Sequence, residues 1–205
     1  MAPPGFHLWP GFLDAAAQRA LAEAVLAATA DTPFHRPMTP SGKAMSVAMT
    51  NLGALGWVAD RTGYRYQAHH PVTGRPWPGM PPALLDLWRT LSGAPADPDC
   101  CLVNLYGPGA RMGLHQDRDE ADFSFPVLSV SLGDTAVFRI GADARGGRTQ
   151  TVRLASGDVC LLGGEARLAF HGVDRILAGS SRLVPGGGRI NLTLRRAGPS
   201  PVEGS

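Results

Sequence analysis

Residues 126–140, PVLSVSLGDTAVFRI, decide the fold. In 127–132, Val127, Ser129 and Ser131 alternate with Leu128, Val130 and Leu132, and this period of two is that of a β-strand. The run ends at Gly133, and a second strand-like run, TAVFRI, occupies 135–140. Similar short runs flank the pair on both sides: CCLVNLY at 100–106 and RMGLHQ at 111–116 before it, then TQTVRL at 149–154, GDVCLLGG at 157–164, ARLAFHG at 166–172 and RINLTLRR at 189–196. Glycine-rich and charged turns separate them. No helical pattern of 10–15 residues falls between them, which disfavours a parallel β/α sheet and predicts a sandwich or barrel of antiparallel strands.

Toward the N-terminus the texture differs. LDAAAQRALAEAVLAATA at 13–30 predicts a helix, with Asp14 as its cap and Ala17, Leu21, Ala24 and Ala28 at three- and four-residue spacing. A second helix is expected over 82–92, with a proline at its start and Gly93 beyond its end. Between them, residues 45–80 are rich in glycine, proline and aromatics and show no long periodicity. The tail 197–205 reads as a frayed terminus.

The chain's 205 residues and 44% hydrophobic content suit one domain with a core and argue against global disorder. Nineteen basic and seventeen acidic residues give +2, too small an excess to imply a nucleic-acid partner by itself. Three cysteines, two of them adjacent at Cys100 and Cys101, form neither a disulfide framework nor a CxxC knuckle and suit a reducing compartment. No apolar stretch of membrane-spanning length and no secretory leader is present, so a soluble cytoplasmic protein without a membrane partner is expected, and the chain is taken as a monomer.

Chemistry concentrates in His115-Gln116-Asp117, with His171 following 56 residues after His115. Residues two apart in extended chain point to one side, so an imidazole and a carboxylate face the same point. A second imidazole from a distant strand would complete a two-histidine, one-carboxylate face, which suits non-haem Fe(II) because it leaves coordination positions open. A hydrogen-bonded surface pair is the plain alternative. In the last strand, Arg189, Asn191, Thr193 and Arg195 share one face and Ile190, Leu192 and Leu194 the other. A half-exposed strand shows the same alternation. If the polar face lines a pocket instead, its two guanidiniums need anionic partners such as a dicarboxylate. Asn104 and Tyr106 also share a face.

Taken together, His115-x-Asp117, His171 and the RxNxTxR run at 189–195 resemble the AlkB family of iron(II)- and 2-oxoglutarate-dependent dioxygenases, most nearly its bacterial DNA-repair members. The likeness runs from about Phe12 to Gly198. It includes MSVAMTNLGALGW at 45–57, GYRYQ at 63–67, GRPWPGMP at 74–81, LVNLYGPGARMGLHQDRDE at 102–120, LSVSLG at 128–133 and GGEARLAFHG at 163–172. The resemblance implies a single domain over 1–205, mainly β with flanking helices. Within it, a double-stranded β-helix (jelly-roll) core spans 100–196 and a nucleotide-recognition lid spans 45–80.

It further implies Fe(II) held by His115, Asp117 and His171. 2-Oxoglutarate would be anchored by Arg189 and Arg195, with Arg195 on the remote carboxylate, and Asn104, Tyr106 and Asn191 would complete its polar shell. Trp57 would stack on an extruded base, Tyr64 and Tyr66 would contact the nucleic-acid backbone, and Asp119 would accept from an exocyclic amine. Met49 and Ser129 are further pocket candidates. The implied reaction consumes O2 and 2-oxoglutarate to remove N-methyl groups from 1-methyladenine or 3-methylcytosine as formaldehyde. Single-stranded DNA is the expected partner, with duplex DNA and RNA as other forms. The chain departs from the family pattern at Leu162 (tryptophan), Phe170 (tyrosine) and Leu105 (arginine), none of them a ligand or anchor. Two other readings stand beside this one: a 2-oxoglutarate oxygenase acting on a small molecule or protein side chain, and a catalytically silent metal-containing β-barrel.

Overall fold

The computed structural model describes residues 2–199, so the last part of the expected frayed tail lies outside the described residues. Twelve strands and two α-helices follow in the order β1 (Phe6–Trp9), α1 (Ala15–Ala28), β2 (Ala48–Gly53), β3 (Gly56–Asp60), β4 (Gly63–Gln67), α2 (Pro82–Leu91), β5 (Cys100–Tyr106), β6 (Met112–His115), β7 (Val127–Gly133), β8 (Thr135–Ile140), β9 (Gln150–Leu154), β10 (Val159–Leu162), β11 (His171–Leu177) and β12 (Arg189–Arg195). The major sheet has the order β1-β10-β7-β12-β5-β2, the minor sheet β6-β11-β8-β9, and β3-β4 is a separate hairpin. Neighbouring strands pair antiparallel in each. The result is a mainly β, jelly-roll architecture with helices on one side.

Period-two alternation sorts the side chains of the major sheet. Leu128, Val130 and Leu132 of β7, with Ile190, Leu192 and Leu194 of β12, join Leu21 and Val25 of α1 and Leu84 and Trp88 of α2 in one core. Each such side chain removed from water contributes about 1.5–3 kcal/mol. α1 starts where Asp14 accepts the backbone N–H of Ala17 (2.8 Å), and α2 starts at Pro82, which carries no N–H to leave unpaired. On the opposite face, Leu102, Val127, Phe138, Ile140 and Leu154 form a second core between the two sheets. The turn from β7 to β8 requires Gly133, whose φ is +90° and where a Cβ would lie 2.5 Å from the Gly188 carbonyl oxygen.

Two expectations are corrected. The run 166–172 is not a strand: Gly164–Leu168 form a 3-10 turn, because Ala166 and Ala169 are buried at a spacing of three and the Ala169 N–H donates to the Ala166 carbonyl. His171 therefore opens β11 instead of ending a strand. Strand β6 stops at His115, so Gln116 and Asp117 lie just beyond it. Within 45–80, β2 pairs along its full length with β5 in the major sheet, and β3 and β4 form the separate hairpin.

Candidate metal and co-substrate site

The two distant histidines meet because β6 pairs with β11 in the register His115↔His171. Their ring centroids are 4.5 Å apart. Asp117 approaches both: Oδ1 lies 3.8 Å from His115 Nε2 and Oδ2 lies 3.7 Å from His171 Nε2. One donor atom from each residue falls within 4.8 Å of the others. His115 Nδ1 lies 3.0 Å from the Gly113 carbonyl and His171 Nδ1 lies 2.9 Å from the Ala169 carbonyl. A carbonyl can only accept, so each Nδ1 carries a proton and each Nε2 is the ring nitrogen turned to the shared point.

Electrostatics agree with that donor set. Burial pushes the Asp117 carboxyl upward, but Arg195 and the two histidines outweigh it and hold the group well below the usual carboxylate range. Burial, then the neighbouring His115, lowers His171 to about 4, which leaves it neutral. Asp117 Oδ2 is buried without a hydrogen-bond partner among the described residues. Two imidazole nitrogens and a carboxylate with an uncommitted oxygen fit Fe(II) with open positions, whereas the thiolates that structural zinc favours are absent from the cluster.

Strand β12 supplies the second half of the site. Both its faces are buried: Arg189 is 1% and Arg195 5% exposed, which removes the half-exposed reading. Arg189 donates to Ser131 Oγ (3.0 Å) and its guanidinium carbon lies 5.3 Å from the centre of the Tyr106 ring. Its Nε and Nη1 have no hydrogen-bond partner among the described residues, nor does Asn104 Oδ1. Asn191 Nδ2 donates to Ser129 Oγ (2.7 Å), and Thr193 donates to Asn191 Oδ1 (3.2 Å). A buried guanidinium with two idle nitrogens is costly unless an anion completes it, so this end fits a carboxylate. Arg195 is differently employed, with Nη2 on Asp117 Oδ1 (2.8 Å) and Nη1 on the Tyr66 hydroxyl (3.0 Å). Arg195, expected on the remote carboxylate, is engaged at the metal-ligand end, whereas Arg189, six residues along the strand, keeps two nitrogens without a partner among the described residues.

One cavity of about 850 Å³ joins these groups, reaching from Arg189, Asn191 and Tyr106 past the His-Asp-His cluster to Met49, Trp57, Tyr64 and Asp119. Trp57 and Tyr64 stack at 5.5 Å with an interplanar angle of 17°. The Trp57 indole N–H donates to Asp119 Oδ2 (2.8 Å). Tyr66 departs from its expected role, because its hydroxyl donates inward to Glu120 Oε1 (2.6 Å) and accepts from Arg195, so it is committed within the protein.

Sequence reasoning missed Glu120 and Arg167. Arg167 donates to the Asp117 carbonyl (2.7 Å), the Phe125 carbonyl (2.8 Å) and Glu120 Oε2 (3.2 Å). Glu120 sits in the charged string Arg118-Asp119-Glu120, which looks like a solvated loop, and Arg167 lies in the run misread as a strand. No signal in the string marks which of its charges is buried.

The family profile of the 2OG-Fe(II) oxygenase superfamily matches residues 5–195. The alpha-ketoglutarate-dependent dioxygenase AlkB homolog of Caulobacter vibrioides is 71% identical over 194 residues, covering 95% of this chain and 88% of the relative. A DNA N(6)-methyladenine demethylase, ALKBH1A of Arabidopsis thaliana, is 39% identical over 155 residues, 73% of this chain and 45% of that protein. The solved structure of OsALKBH1 superposes with a TM-score of 0.77 at 31% identity, covering 95% of this chain and 99% of that one.

Proposed function

The chain belongs to the 2OG-Fe(II) oxygenase superfamily, as an AlkB-type 2-oxoglutarate-dependent dioxygenase that demethylates nucleic acid, and from that premise we propose its substrate and the work of its residues. The substrate is DNA carrying 1-methyladenine or 3-methylcytosine, preferably single-stranded. The observation that carries this reading is the continuity of one cavity from the idle Arg189 guanidinium, past His115, Asp117 and His171, to the Trp57–Tyr64 stack and Asp119. An anion-seeking guanidinium, a metal-ligand cluster and an aromatic-and-carboxylate pair line that one cavity.

His115, Asp117 and His171 hold the iron. When bound, iron with 2-oxoglutarate and O2 supplies oxidation of an N-methyl carbon, whose hydroxymethyl product falls away as formaldehyde while the co-substrate becomes succinate and carbon dioxide. Arg189 binds the far carboxylate of 2-oxoglutarate through a charge-assisted contact, with Tyr106, Asn104 and Asn191 orienting the rest. Arg195 holds Asp117 Oδ1, which leaves Oδ2 for the metal point.

The β3–β4 hairpin acts as the nucleotide lid. Methylation at the pairing edge gives the base a positive charge, and Trp57 offers it a π face while Asp119 offers it a carboxylate. Tyr64 supports the Trp57 ring on one face and leaves the other to the base. Met49 and Ser129 complete the pocket. One chain carries every group named, so the monomer suffices. The described helices include none long and apolar enough to cross a membrane. The three cysteines are free and buried, which supports a reducing, cytoplasmic setting.

The test compares succinate and formaldehyde release with oligonucleotides carrying one 1-methyladenine, one 3-methylcytosine or no methyl group. Stimulation by the methylated strands is expected. Stimulation only by small molecules or peptides would transfer the function to the other oxygenase reading, and no oxygen consumption by iron-loaded protein would leave a binding module.

A further inference from the structure

The hairpin that carries Trp57 belongs to neither large sheet. Two of its side chains donate to one short loop, the one that also carries Asp117, and Tyr66 accepts from Arg195 of β12 as well. The Trp57 indole N–H donates to Asp119 Oδ2 at 2.8 Å, and the Tyr66 hydroxyl donates to Glu120 Oε1 at 2.6 Å. Glu120 is the hub of this latch. Its side chain is fully buried and also pairs with Arg167 (3.2 Å) and Arg195 (3.4 Å). Those two arginines in turn grip Asp117 from both ends, Arg195 on the carboxylate and Arg167 on the backbone carbonyl. Two carboxylates and two guanidiniums therefore form a closed, neutral, buried network, with the Tyr66 hydroxyl as the hairpin's entry into it.

Buried ion networks of this kind give little net stability compared with apolar replacements, so stability alone does not account for one here. A positional account does. Arg195 divides its donors between Asp117 and Tyr66, and its Nε has no partner among the described residues. Whatever settles Asp117 and Arg195 thus also settles Tyr66, and through Tyr66 and Glu120 the hairpin that presents the stacking platform.

We propose that Glu120 is a positioning residue that fastens the hairpin to the metal-ligand loop through Tyr66, so that binding of 2-oxoglutarate and binding of the methylated strand reinforce each other. This rests on the proposed function, which assigns both ligands to the one cavity. Coupling between two binding sites is reciprocal, so each ligand raises affinity for the other by the same factor, about fivefold or more for couplings of ordinary size.

Fe(II)-loaded protein kept free of oxygen allows both bindings to be measured without turnover. Affinity for a fluorescent trinucleotide carrying 3-methylcytosine is titrated with and without saturating 2-oxoglutarate, and affinity for 2-oxoglutarate with and without the trinucleotide. In the unmodified protein both ratios are expected to agree at about fivefold or more. Tyr66→Phe keeps the ring and removes only the hydroxyl, and its ratio is expected to fall toward one even if both affinities persist. Glu120→Gln is expected to lower the ratio likewise, and Tyr66→Phe decides the case should that variant fold poorly. A merely structural role would weaken the two affinities independently and leave the ratio unchanged. Retention of the full ratio in Tyr66→Phe, or a ratio of one in the unmodified protein that still binds both ligands, would overturn the coupling alone. An unmodified protein that binds neither ligand would overturn the proposed function and the coupling with it.

Discussion

Asp117 shares its carboxylate between a metal point and Arg195, and the pair is buried on both sides. Asp117→Ala is expected to abolish iron retention and formaldehyde release, and to cost about 3–5 kcal/mol of stability because Arg195 is left buried with a weaker partner. Iron content after anaerobic desalting, together with thermal unfolding, checks both parts, and near-normal iron content would remove Asp117 from the ligand set. Arg189 offers a cleaner substitution, since its removal leaves the His-Asp-His cluster intact. A hydrogen bond to a charged group is worth about 1.5–3 kcal/mol, so Arg189→Ala should raise the 2-oxoglutarate needed for half-maximal turnover by roughly 10-fold to 150-fold with iron binding retained. An unchanged 2-oxoglutarate dependence would leave the idle guanidinium unexplained. The spacing of His115 and Asp117 was legible in the sequence because side-chain direction along extended chain is a local property. The engagement of Arg195 rather than Arg189 with Asp117 was not, because both sit on the same face of β12 and only the position of Asp117, 78 residues away, distinguishes them.

At the scale of elements, β12 and β11 differ in how much they disclosed. The alternation in β12 is visible in the string, and burial of both its faces follows from lying between β7 and β5 with helices behind. β11 was obscured, because ARLAFHG mixes a 3-10 turn of period three with the first residues of a strand whose neighbours come from far along the chain. That strand holds His171 against β6 at very close range. A Cβ on Gly172 would lie 2.6 Å from the Met112 carbonyl oxygen and 2.8 Å from that of Gly113, backbone atoms that cannot rotate away. Gly172→Ala must therefore push β6 outward and widen the His115–His171 gap. Weaker iron binding is expected with secondary structure largely kept, measured by competition with a chelator and by circular dichroism. Unaltered iron affinity would mean that the strand pair yields without moving the histidines.

For the whole molecule, the question is how a charge-poor protein reaches a base inside nucleic acid. Residues 1–100, which include the hairpin, carry seven basic and seven acidic residues, and Arg65 on the hairpin is already paired with Asp60 at 2.9 Å. Phosphate attraction from this half is therefore weak and offsets little of the few kcal/mol needed to extrude a base from a duplex. A single strand avoids most of that cost, so 3-methylcytosine in a single strand should be demethylated faster than in the matched duplex. The stacking platform supplies the remaining affinity, and loss of an aromatic platform usually costs about 1–3 kcal/mol per base. Trp57→Ala should accordingly raise the oligonucleotide concentration for half-maximal turnover by roughly 5-fold to 150-fold, while 2-oxoglutarate binding measured without oligonucleotide stays close to normal. Tyr64 still lines the mouth in that variant, which sets the loss toward the smaller end. Matched single-stranded and duplex oligonucleotides decide the strand question, and a clear duplex preference would require a source of positive charge beyond Arg61 and the paired Arg65 of the hairpin.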